Sequence, residues 1–275
     1  MELLKENIKR ILSESTSSNL LFKRNLIKEY LQILVLNYLY SHPRYSQLVF
    51  YGGSCLMHCY GLARLSEDLD FVDLKKKISL AELGEDLKKY FSRQTDLKLD
   101  QRVQKFRLYL KFPLLKELKL SKKGESDLLL LKIEIFKKFD FCKTYKTEII
   151  PLFKYNRSIL IRTFDLPTLM STKIRAIFFR KWEKTDKKGK TVARIKGRDY
   201  YDLMWYLQRG VKPNLDCIEM VDNNQELKLK LVNIIKRIDT RSIRLDLESF
   251  IENSSFVKNL SKNIKNILIK SVGNL

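Results

Sequence analysis

Residues 50–71 read FYGGSCLMHCYGLARLSEDLDF and hold the side chains best suited to chemistry. Asp68 and Asp70 are two positions apart, so on a strand both carboxylates project from one face. Carboxylates so placed can share a hard cation with oxygen ligands, which is how magnesium is held beside a nucleotide. Two such ions would clamp the entering and leaving oxygens of an in-line displacement at an α-phosphorus, by position and charge neutralisation. Upstream, Gly52 and Gly53 let the backbone approach a polyphosphate where a Cβ would clash. A helix opening at Ser54 offers unpaired N–H groups, the positive end of its dipole and one hydroxyl. A third carboxylate would complete a two-metal site, and Glu134 is the candidate, being the lone acid in the apolar run Leu131–Phe136. A lone acid there is costly unless it is metal-bound or paired with a basic residue, and both readings stay open.

These residues need strands and turns to position them. The short apolar run Leu48–Tyr51, stopped by Gly52-Gly53, predicts a buried strand, and Ser54–Tyr60 a short helix closed by Gly61. Asp68–Val72 alternates as a second strand. Ser79–Gln94 predicts an amphipathic helix with Ser79 as N-cap and Glu82 three residues on. Strand patterns follow over Asp96–Gln104, Phe106–Leu110, Leu128–Phe136 and Ser158–Thr163. Helical periodicity covers residues 1–46, Thr168–Trp182 and Arg198–Arg209, and continues to the end in three pieces. Lys184–Lys196 reads as a lysine-rich mobile loop. The organisation is then an N-terminal helical segment (1–46), a mixed α/β core (47–165) and a C-terminal helical domain (166–275).

Lysine and arginine outnumber acids 54 to 32 in 275 residues, a formal charge of +22. Such a field favours polyanions, nucleic acid first among them. The four cysteines form no CxxC pair, and Cys55-x-x-His58-Cys59 lacks a second ligand pair, so zinc is not expected. Free thiols fit a reducing cytoplasm. The N-terminus has neither signal nor transit character, and no apolar run reaches membrane-spanning length. No apolar repeat suggests a partner helix, so a monomer is expected. His42 and His58 are given no catalytic part.

The segment resembles the signature of the DNA polymerase β-like nucleotidyltransferases, and within them the AbiEii/AbiGii toxin-type enzymes that include the MenT toxins. Their pattern GG[ST]-A-L…YGL.R.S.DLDF is met by Gly52-Gly53-Ser54, Tyr60-Gly61-Leu62, Arg64, Ser66 and Asp68-Leu69-Asp70-Phe71, with Cys55 where alanine is usual. The likeness continues in Lys173-Ile174-Arg175-Ala176 with Arg180, and in Arg198-Asp199-Tyr200-Tyr201-Asp202. It implies an α+β fold, a nucleotidyltransferase-type mixed sheet flanked by helices with a C-terminal helical bundle. It implies that Gly52, Gly53, Ser54, Arg64, Ser66, Arg180 and Asp202 bind nucleotide and that Lys173 contacts the triphosphate. An acid of the second helix is needed for activity, Asp199 before Asp202. By spacing alone, Lys173 and Arg180 share a helix face, and Asp199 could equally complement a helix dipole.

The resemblance implies transfer from a nucleoside triphosphate to an RNA acceptor, the tRNA 3′ end, by the toxin of a toxin–antitoxin pair. The cofactor expected is Mg²⁺ as two ions, with Mn²⁺ as a substitute, held by Asp68, Asp70 and Glu134. The basic stretch Lys181–Arg198 would grip the RNA backbone. Transfer to a protein or small molecule, and a non-catalytic nucleotide- or RNA-binding relative, are the alternatives.

Overall fold

The computed structural model describes residues 2–185, 189 and 191–275, which divide into two compact units. The first comprises residues 1–139 and 147–163, the second 140–146 and 164–275.

The first unit is built on a seven-stranded mixed sheet. Its strands are β1 (Val49–Tyr51), β2 (Asp68–Val72), β3 (Asp100–Gln104), β4 (Arg107–Pro113), β5 (Leu128–Phe136), β6 (Thr147–Lys154) and β7 (Arg157–Phe164). They lie in the order β3-β4-β5-β2-β1-β7-β6. β2 is inner, parallel to β5 and antiparallel to β1. Helices α1 (Leu4–Glu14), α2 (Leu20–Ser41), α3 (Gly52–Tyr60) and α4 (Leu80–Gln94) complete the unit. Asn19 caps α2, its side chain accepting from Leu21 and Phe22 N–H, and Leu31, Ile33, Leu34, Val35 and Leu36 are fully buried along it. Ser79 caps α4 as its sequence predicts.

β6 is absent from the sequence reading, for two physical reasons. Pro151 interrupts its pattern, which an edge strand tolerates because no N–H is needed on the open side. Its turn into β7 uses Tyr155 and Asn156, both at positive φ, with no glycine to announce the hairpin. The expected strand 96–104 begins only at Asp100.

The second unit holds α5 (Leu166–Phe179), a short ribbon of β8 (Lys184–Thr185) and β9 (Thr191–Ala193), α6 (Gly197–Gln208), α7 (Asn224–Lys236), α8 (Thr240–Leu247) and α9 (Ser254–Val272). Asp165 caps α5, with Pro167 in the first turn, where its missing N–H costs nothing. Helix α5 is shorter than expected, which leaves Arg180 as its C-cap and Trp182 half-buried beyond it. The expected loop 184–196 is in part the β8–β9 ribbon, with Ala193 buried; residues 186–188 and 190 lie outside the described residues.

One expectation is corrected here. All four cysteines read as free thiols, yet Cys142 and Cys217 are paired across 75 residues, leaving Cys55 and Cys59 free. Residues 140–146 fold onto the turn at 214–217. Asn214 Nδ2 donates to the Thr144 carbonyl at 2.7 Å, and Lys143 N–H to that of Asp216 at 3.1 Å. Among the described residues no helix is long and apolar enough to cross a membrane.

Candidate active site

In the first unit, Asp68 stands opposite Lys132 and Asp70 opposite Glu134 in the parallel β2–β5 register. On the other side Asp70 pairs with Tyr51, the residue before Gly52. Alternation along β2 leaves both aspartates half-buried on one face, while Leu69 and Phe71 enter the core.

The turn is closed around these groups. Gly52 has φ +81°, and a Cβ there would lie 2.6 Å from Asp70 Oδ2, so the carboxylate is aimed at the turn. A Cβ on Gly53 would meet Arg64 Nη2 at 2.6 Å and Ser66 Oγ at 3.1 Å. Three motif positions 11 to 18 residues downstream of the turn thus converge on it. Ser54 is fully buried and its hydroxyl donates to the Asp68 carbonyl, which pins α3 to β2. That bond occupies the hydroxyl expected to reach a phosphate. Arg64 is buried and donates from Nη1 to the Leu65 carbonyl at 2.8 Å.

A buried relay from α2 supports the segment. Gln32 Nε2 donates to the Ser66 carbonyl at 2.9 Å, and Gln32 Oε1 accepts from His58 Nε2 at 2.9 Å. Burial, with Lys154 adding its charge, pushes the His58 imidazole down to about 3, so it is neutral. His58 therefore packs and positions, as a residue without a proton-transfer role should.

Charges balance around the acids through Lys132. Its ammonium lies 3.0 Å from Asp68 Oδ2 and 2.9 Å from Glu134 Oε1, and Arg107 Nε reaches the same Glu134 oxygen at 2.8 Å. Burial and the neighbouring Glu67 raise the Asp68 carboxyl above the ordinary range, while Lys132 pulls it back. Burial opposes the charge of Lys132, yet Asp68 and Glu134 raise its pKa.

Do these groups suit a divalent ion? Asp68 and Asp70 supply hard oxygen donors on one face, and a cation already sits between Asp68 and Glu134 in the form of the lysine ammonium. Among the described residues no cluster of three or more His, Cys, Asp or Glu side chains forms a ready cage. Magnesium beside a nucleotide uses one or two carboxylates plus substrate phosphates rather than a cage, so the aspartate pair fits it. Glu134 in this arrangement is an ion-pair partner, the second of the two readings its sequence context allows.

The second unit carries its own cluster. Lys173 Nζ on α5 lies 2.9 Å from Asp199 Oδ1 and 2.8 Å from Asp202 Oδ2, both on α6. Arg180 Nη1 reaches Asp199 Oδ2 at 2.6 Å. Burial alone would raise the Asp199 carboxyl, but Lys173, Arg180 and Lys196 outweigh it and hold it at about 2. Lys196 is pushed down to about 8 by burial and then by Arg198. Asp246 on α8 anchors the start of α6, accepting from the Arg198 backbone N–H at 2.9 Å.

Residues 35–274 match the family described as nucleotidyl transferase AbiEii toxin of type IV toxin–antitoxin systems. The chain belongs to this family. It is a nucleotidyltransferase toxin by that membership. Among solved structures it is similar to the MenT4 nucleotidyltransferase toxin of Mycobacterium tuberculosis H37Rv, with 12% identity, a TM-score of 0.56, and coverage of 98% of this chain and 88% of that one. It is also similar to JHP933 from Helicobacter pylori, with 18% identity, a TM-score of 0.49, and coverage of 90% and 93%. No curated protein matches in sequence.

The motif residues fall into two clusters, one in each unit. Gly52, Gly53, Arg64, Ser66, Asp68 and Asp70 form one cluster in the first unit, and Lys173, Arg180, Asp199 and Asp202 form another in the second. Lys132, Arg107, Gln32 and Asp246 are absent from the sequence reading. Of these only Lys132 left a signal, as the second charge in an otherwise apolar strand.

Proposed function

We propose that this toxin transfers a nucleoside monophosphate from a nucleoside triphosphate to an RNA acceptor, the 3′ end of tRNA being the target the resemblance implies. The observation that carries the reading is the Asp70 carboxylate held against the Gly52 turn, with Asp68 beside it on one strand face. The charge of +22 supports a polyanionic acceptor over a small molecule. The acceptor hydroxyl attacks the α-phosphorus, a new P–O bond forms, the bond to the bridging oxygen breaks and pyrophosphate leaves. The hydroxyl proton passes to a carboxylate of the pair or to water.

Asp68 and Asp70 would hold Mg²⁺, or Mn²⁺ in its place, and Glu134 would serve as a third carboxylate on exchanging its ion pair with Lys132 and Arg107 for the metal. Bound metal would supply charge neutralisation at the reacting phosphate. Gly52 and Gly53 admit the polyphosphate by lacking Cβ atoms, and Arg64 and Ser66 fix the shape of that turn. Lys173 keeps the role the resemblance implies, a contact to triphosphate, with Asp199 and Asp202 orienting its ammonium. An antitoxin restrains the enzyme, and a supply of triphosphates and tRNA places the reaction in the cytoplasm.

Incubation with labelled nucleoside triphosphates, Mg²⁺ and total RNA tests the reading. Label in tRNA-sized RNA is expected. Label entering protein instead, or no transfer despite nucleotide binding, overturns it.

A further inference from the structure

At the C-terminal end of β5, the first unit opens a surface pocket of about 730 Å³. Its lining includes Phe106 and Phe136 together with Lys77, Lys105, Lys137 and Lys138, all four lysines exposed, with no carboxylate among the lining residues. The two rings lie against each other with centroids 4.8 Å apart. Phe106 occupies the β3–β4 turn, where a polar residue would serve the backbone equally well.

The pocket is tied through Arg107 to Glu134, the residue opposite Asp70. Glu134 binds Arg107, whose guanidinium lies 4.7 Å from the Phe106 ring centroid. Phe136 stands two residues beyond Glu134 on the same face of β5, about 7 Å along the strand. The register that sets Asp70 opposite Glu134 sets Val72 opposite Phe136.

Four exposed lysines around one pocket set a positive potential that favours an anion, and a volume of this size lies within the range of ligand sites. Flat aromatic faces ringed by cations suit a nucleobase stacked on a ring with its phosphates on the lysines. We infer that this pocket receives an unpaired base of the acceptor RNA strand, with the flanking phosphates on Lys77, Lys105, Lys137 and Lys138. The inference rests on the RNA-acceptor reading and gives that acceptor a seat beside the acids. The triphosphate is assigned to the Gly52-Gly53 turn, which leaves the pocket to the other substrate.

The test measures binding of a short fluorescein-labelled single-stranded RNA by anisotropy, without nucleotide or divalent ion, alongside steady-state transfer. Phe106→Leu keeps apolar bulk and removes the stacking face, and it should weaken RNA binding about tenfold. Phe106→Trp should restore it. The exposed double variant K105E/K138E should weaken binding further and lower the slope of log affinity against log salt by about two. The KM for nucleoside triphosphate should stay unchanged in all three. Unaltered RNA affinity and salt slope in the variants would overturn the inference. So would a change confined to the nucleotide KM, which assigns the pocket to the incoming base, or lost binding of polyglutamate with RNA binding intact, which assigns it to an acidic protein. Failure of the acceptor reading is separable: strand binding through the pocket with no transfer to any RNA sinks that reading alone. Transfer to RNA with an unchanged RNA KM in the variants sinks the pocket alone.

Discussion

The two clusters of motif residues solve the problem of partly buried carboxylates in opposite ways. Around β2 the acids keep access to solvent, with side chains of Asp68 and Glu134 at 22% and 12% exposure, and Lys132 balances them from a half-open position. Between α5 and α6 the pairing is closed: Asp199 is 5% exposed and Asp202 0%, with Lys173 inserted between them. The carboxyl of Asp68 is raised by burial and Glu67, whereas that of Asp199 is held at about 2 by its cations. A partly open acid pair beside a glycine turn has room to accept a further cation. A saturated buried pair is ready only to hold a lysine in one orientation. The first arrangement suits chemistry, and the second suits positioning.

Five experiments would break or sharpen this contrast. Asp68→Ala or Asp70→Ala should leave no measurable transfer while thermal melting stays near wild type; wild-type rates in either variant would remove the pair from catalysis. Lys173→Ala should instead unfold the protein more easily, because it strands two buried acids at a cost of about 3–5 kcal/mol. Lys132→Ala, at a pair with side chains 25% and 22% exposed and with Arg107 left on Glu134, should cost less, about 1–2 kcal/mol. Equal melting shifts for the two lysine variants would erase the distinction drawn here. A raised nucleotide KM in a mild variant such as Lys173→Arg would support the triphosphate role.

The acid limb of stability reports on Asp199. Its folded pKa of about 2 lies below the ordinary 3.8. The stabilisation is therefore full above pH 3.8 and is lost as pH falls through 2, an effect on the order of 2 kcal/mol. Urea unfolding between pH 5 and 2 should show a flatter decline in Asp199→Asn than in wild type, and parallel curves would refute the assignment. A further effect is expected at the turn. Gly52→Ala forces a left-handed φ of +81° on an L side chain, costing about 1–2 kcal/mol, and pushes a Cβ onto Asp70. Its melting temperature should drop by a few degrees and its transfer rate should fall. A fully active Gly52→Ala enzyme would mean that Asp70 is not held by the turn.

Much of the frame could be read from local pattern. The bounds of β2 and β5 follow from alternation and apolar runs, and the start of α4 from one serine, because those signals act within a few residues. The approach of Asp70 to the Gly52 turn was legible only through the family signature. Alternation said that both aspartates share a face, and said nothing of what faces them. β6 was hidden by Pro151 and a hairpin without glycine, and the Cys142–Cys217 pairing by 75 intervening residues.

By itself, the order of residues determined the strand–turn–helix–strand segment, the shared face of Asp68 and Asp70, and a strong positive charge, since each depends on backbone geometry or on counting. Tertiary structure alone decided that Arg107 reaches Glu134, that Gln32 and His58 brace the Ser66 segment, and that Lys173 lies between two buried acids. Those pairings depend on strand register and helix packing across distances of 26 to 34 residues, where no short-range preference reaches.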